Sequence, residues 1–188
     1  HHWVTKTSQR VIGLFGLAGQ GKSALGAEVV VQVAEEAATA SPGSPNAVDV
    51  VIWSTLTTLP ALPHLLENWL AQLSKPADHT PHPLPFPGQS PLVTVSKVPE
   101  KNVETLLQQL LVQLRRRRIL LILDGGETLY GSNGPLTEYQ PGWEAFDELL
   151  RRLADNEHRS CLLFLSRVIP ATWDLLARRC SAVRTMTL

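Results

Sequence analysis

An α/β fold, three layers deep around a mainly parallel five-stranded sheet, is predicted by three features of these 188 residues. Short apolar runs alternate with segments whose apolar residues recur at helical spacing, the pattern of strands joined by helical crossovers. Several of the runs are nearly continuous in apolar residues, as strands covered on both faces require. The first run leads into a glycine-rich loop that opens onto a helix, Gly16-Leu17-Ala18-Gly19-Gln20-Gly21-Lys22-Ser23.

Val11 to Phe15 is the first strand. The helix after the loop runs from about Lys22 to Thr39 and is ended by Ser41-Pro42-Gly43-Ser44-Pro45, where two prolines and a glycine break any helical pattern. Val48 to Trp53 is the second strand and completes a β-α-β unit. Leu62, Leu65, Leu66, Trp69, Leu70 and Leu73 line one face of a helix, and Val103, Leu106, Leu107, Leu110, Leu111 and Leu114 repeat the spacing in another. Between those helices, residues 76–99 hold seven of the fourteen prolines and no periodicity, so an exposed, partly disordered insertion is expected. Ile119 to Leu123 is the third strand and ends at Asp124. Trp143, Phe146, Leu149, Leu150 and Leu153 place a helix before the fourth strand, Cys161 to Leu165, which ends at Ser166-Arg167. A helix near Ala171 to Arg179 and a strand around Ala182 to Leu188 follow. Residues 1–188 read as one domain, long enough to bury a substantial core.

Composition narrows the partners. Seventeen basic and seventeen acidic residues cancel, so bulk charge calls for neither nucleic acid nor an anionic membrane as an obligatory partner. Cys161 and Cys180 lie on separate elements without a C-x-x-C spacing, which fits a reducing compartment and neither a disulfide framework nor a zinc site. No apolar run approaches a membrane span, and His1-His2-Trp3 begins no charged-then-apolar leader, so a cytoplasmic location is expected. His79 and His82 sit in the proline-rich stretch and read as solvated. Arg115 to Arg118 are four cations at a helix carboxyl end, where the dipole favours them, and receive no catalytic role.

The glycine loop carries the chemistry. Its spacing fits G-x-x-x-x-G-K-[ST] without mismatch, in the required place between strand and helix. Glycines at 16, 19 and 21 allow positive φ and close approach, so main-chain N–H groups from Gly16 through Gln20 to Ala24 can converge on phosphate oxygens. The helix start adds unpaired N–H groups and the positive end of its dipole. Lys22 supplies an ammonium for the terminal phosphates, and Ser23 a hydroxyl for Mg²⁺, so ATP or ADP with Mg²⁺ is the expected ligand set. Ligands of parallel sheets bind beyond the carboxyl ends of the strands. Asp124 is there, placed to hold Mg²⁺ opposite Ser23; a turn aspartate before Gly125-Gly126 is the alternative. Glu127 either orients or deprotonates an attacking water or is an exposed loop residue. Arg167 either meets the γ-phosphate or is a surface arginine. Lys22, Asp124, Glu127 and Arg167 are thus the candidate catalytic groups.

Taken together, Val11 to Leu25, Val51-Ile52-Trp53-Ser54, Ile119 to Asp124, and Leu149-Leu150-Arg151-Arg152 through Ser160-Cys161-Leu162-Leu163 to Ser166-Arg167 resemble the NB-ARC branch of the STAND signal-transduction ATPases. The similar forms occur in bacterial multidomain proteins with WD-repeat β-propellers. The resemblance implies a P-loop NTPase three-layer sandwich and a switch: ADP held in a closed form, exchange for ATP, then self-association. It assigns phosphate binding to Gly16 to Ser23, magnesium to Asp124 and γ-phosphate sensing to Arg167. The chain departs from the pattern at Gly125, where relatives often carry Asp or Asn, which implies slow hydrolysis, and at Leu165, often Thr. It also lacks the Met-His-Asp sequence of such relatives, so helical, winged-helix and repeat domains are expected downstream. A turnover ATPase or phosphotransferase is the alternative. No Asn-Lys-x-Asp sequence occurs to read guanine, and a vestigial loop in a structural domain is the third reading.

Overall fold

The computed structural model describes residues 8–39, 47–58, 61–74, 102–130 and 138–188. The proline-rich insertion expected over 76–99 lies outside these, as do His79 and His82.

Among the described residues five strands form one sheet: β1 (Val11–Phe15), β2 (Val50–Thr55), β3 (Ile119–Asp124), β4 (Cys161–Ser166) and β5 (Val183–Thr187). Their order is β2-β3-β4-β1-β5 and every pairing is parallel. The α-helices among the described residues are α1 (Lys22–Thr39), α2 (Leu62–Leu73), α3 (Val103–Arg116), α4 (Phe146–Asp155) and α5 (Trp173–Arg179). The sheet is therefore the mainly parallel five-stranded one expected.

Topology explains why the two faces are covered so unequally. From β1 the chain travels outward past β4 and β3 to the edge strand β2, and each later crossover moves back the other way. Crossovers of one hand that travel in opposite directions lie on opposite faces. Accordingly Val29, Val30 and Val33 of α1, the one helix on this face among the described residues, pack on Ile12, Leu14, Leu120, Ile122, Leu163 and Leu165. The other face meets α2 to α5, whose leucines, with Trp69, Phe146 and Trp173, close over Val11, Phe15, Leu121, Leu123, Leu162 and Phe164. Alternate residues of β1, β3 and β4 thus serve opposite layers, so these strands must be apolar throughout.

Two boundaries differ from expectation. β2 runs two residues later, because Asp49 is occupied at the far end: its N–H donates to Arg118 O at 2.8 Å and its Oδ2 accepts the Arg118 N–H at 2.7 Å. The strand then reaches Ser54, whose buried Oγ accepts Trp69 Nε1–H at 3.0 Å. α4 begins at Phe146, since residues 140–146 form successive turns, Trp143 N to Gln140 O at 3.0 Å and Phe146 N to Trp143 O at 2.9 Å. Trp143 is buried all the same. A cross-helix pair, Arg152 with Glu104, ties α4 to α3.

Just before β4, His158 donates from Nδ1 to Ser160 O at 3.1 Å, while its Nε2 is buried with no hydrogen-bond partner among the described residues. Burial, reinforced by the Arg10 charge, pushes its imidazole down to about 4. The unfolded chain takes up this proton near 6.5 and the folded chain only near 4, so the stabilisation is complete above 6.5 and is lost as pH falls through that window. Urea unfolding should therefore show a loss of about 2 kcal/mol between pH 8 and pH 5 that His158→Gln does not show. Equal pH slopes for the parent and the variant would refute this.

Candidate functional site

The strand register brings the chemistry to one edge. Phe15 is level with Ser166, and Asp124 with Leu165, so the glycine loop, Arg167 and Asp124 leave the sheet side by side at its carboxyl end. β4 lies between β1 and β3, which sets Arg167 between the other two.

The loop takes its shape from main-chain angles. Gly19 and Gly21 have φ of 78° and 83°, and a Cβ at either would meet nothing within 4 Å, so conformation rather than space demands glycine. Lys22, only 9% exposed, crosses the loop and donates from Nζ to Gly16 O at 2.7 Å and Leu17 O at 2.8 Å. An ammonium has three donors, so one is left for an anion. Gln20 turns its Oε1 to its own loop and accepts the Leu17 N–H at 2.5 Å.

The cavity beside this loop has a volume of about 290 Å³. Ala18, Gly19, Gly21, Lys22, Ser23 and Ala24 form one wall, and Asp124, Glu127 and Arg167 the other. The sequence-predicted residues thus converge, with two exceptions. Gly16 and Gln20 do not line the cavity but brace the loop from behind, Gly16 through its carbonyl and Gln20 through its side chain. Ser23 and Asp124 offer a hydroxyl and a carboxylate to one space, a donor set suited to Mg²⁺, which takes few protein oxygens and keeps its waters. Among the described residues no group of three or more His, Cys, Asp or Glu forms a preformed metal cage.

Behind Asp124 the chain turns at Gly125, φ 85°, into a short 3-10 turn over Gly126–Leu129, tied by Thr128 Oγ1 to Gly125 O at 2.8 Å. The glycine at 125 is thus a left-handed turn position. The turn delivers Glu127 to Arg167: Oε1 lies 3.0 Å from the guanidinium Nε, and Oε2 accepts the Arg167 main-chain N–H at 3.2 Å. Ser166, fully buried, shapes the other side of this contact, its Oγ donating to Val168 O at 2.7 Å and accepting Val168 N–H at 3.0 Å. Sequence reasoning gave no role to Thr128 or to the hydroxyl of Ser166. Only Ser166 carried a signal, as a polar residue closing an apolar strand.

A phosphate-binding loop at the head of a helix, with a strand-end carboxylate on the far wall of the same cavity, defines a P-loop NTPase fold and site. The chain belongs to the NACHT domain family, whose profile matches residues 10–185. NACHT is a close relative of the NB-ARC branch named above, and both are STAND P-loop NTPases. The chain is 28% identical over 172 residues to an uncharacterised WD repeat-containing protein of Nostoc sp., covering 89% of this chain and 12% of that protein. It therefore spans about an eighth of that relative's length. In fold it is similar to the Aeropyrum pernix ORC2 protein, solved in ADPNP-ADP complexes, with a TM-score of 0.55 at 17% identity over 96% of this chain and 42% of that one. A HORMA:CdnC:Trip13 complex of E. coli aligns with a TM-score of 0.43 at 15% identity, over 96% of this chain and 48% of that one.

Proposed function

We propose that this domain is an ATP/ADP-operated regulatory switch that hydrolyses ATP slowly with Mg²⁺ and thereby controls self-association, in the manner of the NB-ARC proteins it resembles. The observation that carries the reading is the convergence of Lys22, Ser23, Asp124 and Arg167 on one cavity from three adjacent strand ends. At about 290 Å³ it suits the phosphate end of a nucleotide with its metal. Main-chain N–H groups of Gly19 to Ala24 cradle the phosphates, Lys22 neutralises them, and Ser23 with Asp124 holds the magnesium, which supplies charge neutralisation at the transferring group. Arg167 reads the terminal phosphate. Hydrolysis is slow because Gly125, next to the metal carboxylate, has no side chain with which to order an attacking water. The WD-repeat relative, of which this chain covers 12%, supports a larger protein in which propeller repeats accompany this domain; helical and winged-helix segments and a cytoplasmic location are what the family resemblance implies.

Asp124→Asn tests the metal role. ATP titrations with and without Mg²⁺ should show a magnesium-dependent gain in the parent that shrinks by about tenfold or more in the variant. Equal ATP affinity with and without Mg²⁺ in the parent would remove Asp124 from this role. Multiple-turnover assays with ATP in excess separate switch from turnover enzyme: several ATP molecules hydrolysed per second by each protein molecule would favour the latter.

A further inference from the structure

We infer that Glu127 is the positioning residue for Arg167 and so sets the preference of this site for a nucleoside triphosphate over a diphosphate, an inference that rests on the nucleotide reading above. Arg167 is 55% exposed at its side chain, and a long exposed arginine samples many rotamers. Glu127 removes that freedom at two points, holding the main-chain N–H with Oε2 and the guanidinium Nε with Oε1. Those are the inner donors of the arginine. Four N–H groups remain on the terminal nitrogens, and among the described residues no hydrogen bond engages them. That planar fork matches two oxygens of a phosphate.

The surroundings hold the pair rigidly. On one side Gly125 and Thr128 fix the turn that carries Glu127, and on the other the Ser166 hydroxyl fixes the bend that carries Arg167. The Arg167 side chain lines the same cavity as Lys22, yet it follows the end of β4, the strand next to β1 and its loop. The anion it meets is therefore one beyond those the loop amides cradle. A diphosphate leaves Arg167 without that partner.

Titrations of ADP and a non-hydrolysable ATP analogue with Mg²⁺ into the parent, Glu127→Ala, Glu127→Gln, Arg167→Ala and the Ala/Ala double variant test this. Loss of Glu127 should weaken the analogue about fivefold and leave ADP unchanged to within about twofold. Glu127→Gln should recover part of the loss, since its amide oxygen still accepts the Arg167 N–H. In the Arg167→Ala background, removing Glu127 should have no further effect. Tighter analogue binding in Glu127→Ala would overturn the proposal by showing that the carboxylate competes with phosphate for Arg167. A lower turnover number at unchanged analogue affinity would overturn it in favour of a role on the attacking water. Additive losses in the double variant would overturn it by showing that Glu127 acts without Arg167. If ADP fails to bind the parent, the nucleotide reading itself falls, and this assignment with it.

Discussion

Lys22→Ala should weaken ATP and ADP alike by on the order of a hundredfold or more, because it removes a charge-assisted donor at the phosphates and unlocks the loop at once. The ammonium is tied to two loop carbonyls, Gly16 O at 2.7 Å and Leu17 O at 2.8 Å, and is nearly shielded from water. Truncation leaves both carbonyls without this donor and the bend free to relax. Lys22→Arg should not restore binding, since a planar fork cannot supply the compact three-donor head that spans both carbonyls and a phosphate. Lys22→Met, which keeps the stem and drops the charge, should fall close to Ala. Calorimetric titration measures all three, and unchanged ATP and ADP affinity in the Ala variant would end the phosphate-loop reading. Urea midpoints of these variants should stay near the parent's, because the lysine works at the edge of the sheet and not in its core.

The second large effect concerns a glycine that no spacing rule singles out. A Cβ on Gly126 would lie 2.3 Å from Phe164 Cζ and 2.7 Å from Ser166 Cβ. Phe164 cannot retreat: it is fully buried, with the Phe146 ring at 5.4 Å and the Phe15 and Trp173 rings at 6.1 and 6.2 Å. Gly126→Ala should therefore destabilise the fold by about 2–3 kcal/mol and displace the turn that sets Asp124 and Glu127. Gly125→Ala, one residue earlier, has room, with only Thr57 Cγ2 at 3.7 Å, and its cost of about 1–2 kcal/mol arises from φ 85° alone. Urea unfolding distinguishes the two, and a Gly126→Ala protein as stable as the parent would contradict the packing described. The loss of magnesium-dependent ATP binding should be larger for Gly126→Ala than for Gly125→Ala.

Elements with strong periodicity were legible from residues alone. α1 spans Lys22–Thr39 as the spacing and the following Pro-Gly segment indicate, and α2 begins and ends with its leucines. Shorter features were not, because local spacing says nothing of long-range partners. The shift of β2 follows from Asp49 pairing with Arg118, sixty-nine residues away. The 3-10 turn at Gly126–Leu129 follows from a left-handed glycine and a threonine hydroxyl. Gln20 read as a phosphate-binding position through its main chain; that its side chain staples the loop to itself was not legible. Glu127 read as a water-orienting acid or a bystander, and neither description anticipated its hold on Arg167. The two lie forty residues apart.

The residue order alone settled that this chain alternates strand and helix and that its first turn carries the P-loop pattern, since both depend on neighbours within a few positions: glycine angles, a lysine at fixed spacing, and a strand apolar on both sides. Only folding could settle that β4 enters between β1 and β3, so that Arg167 faces the cavity from between the loop and Asp124. That placement comes from strand pairing and crossover direction, which bury apolar surface contributed by the whole chain and leave no mark on the spacing of any one segment.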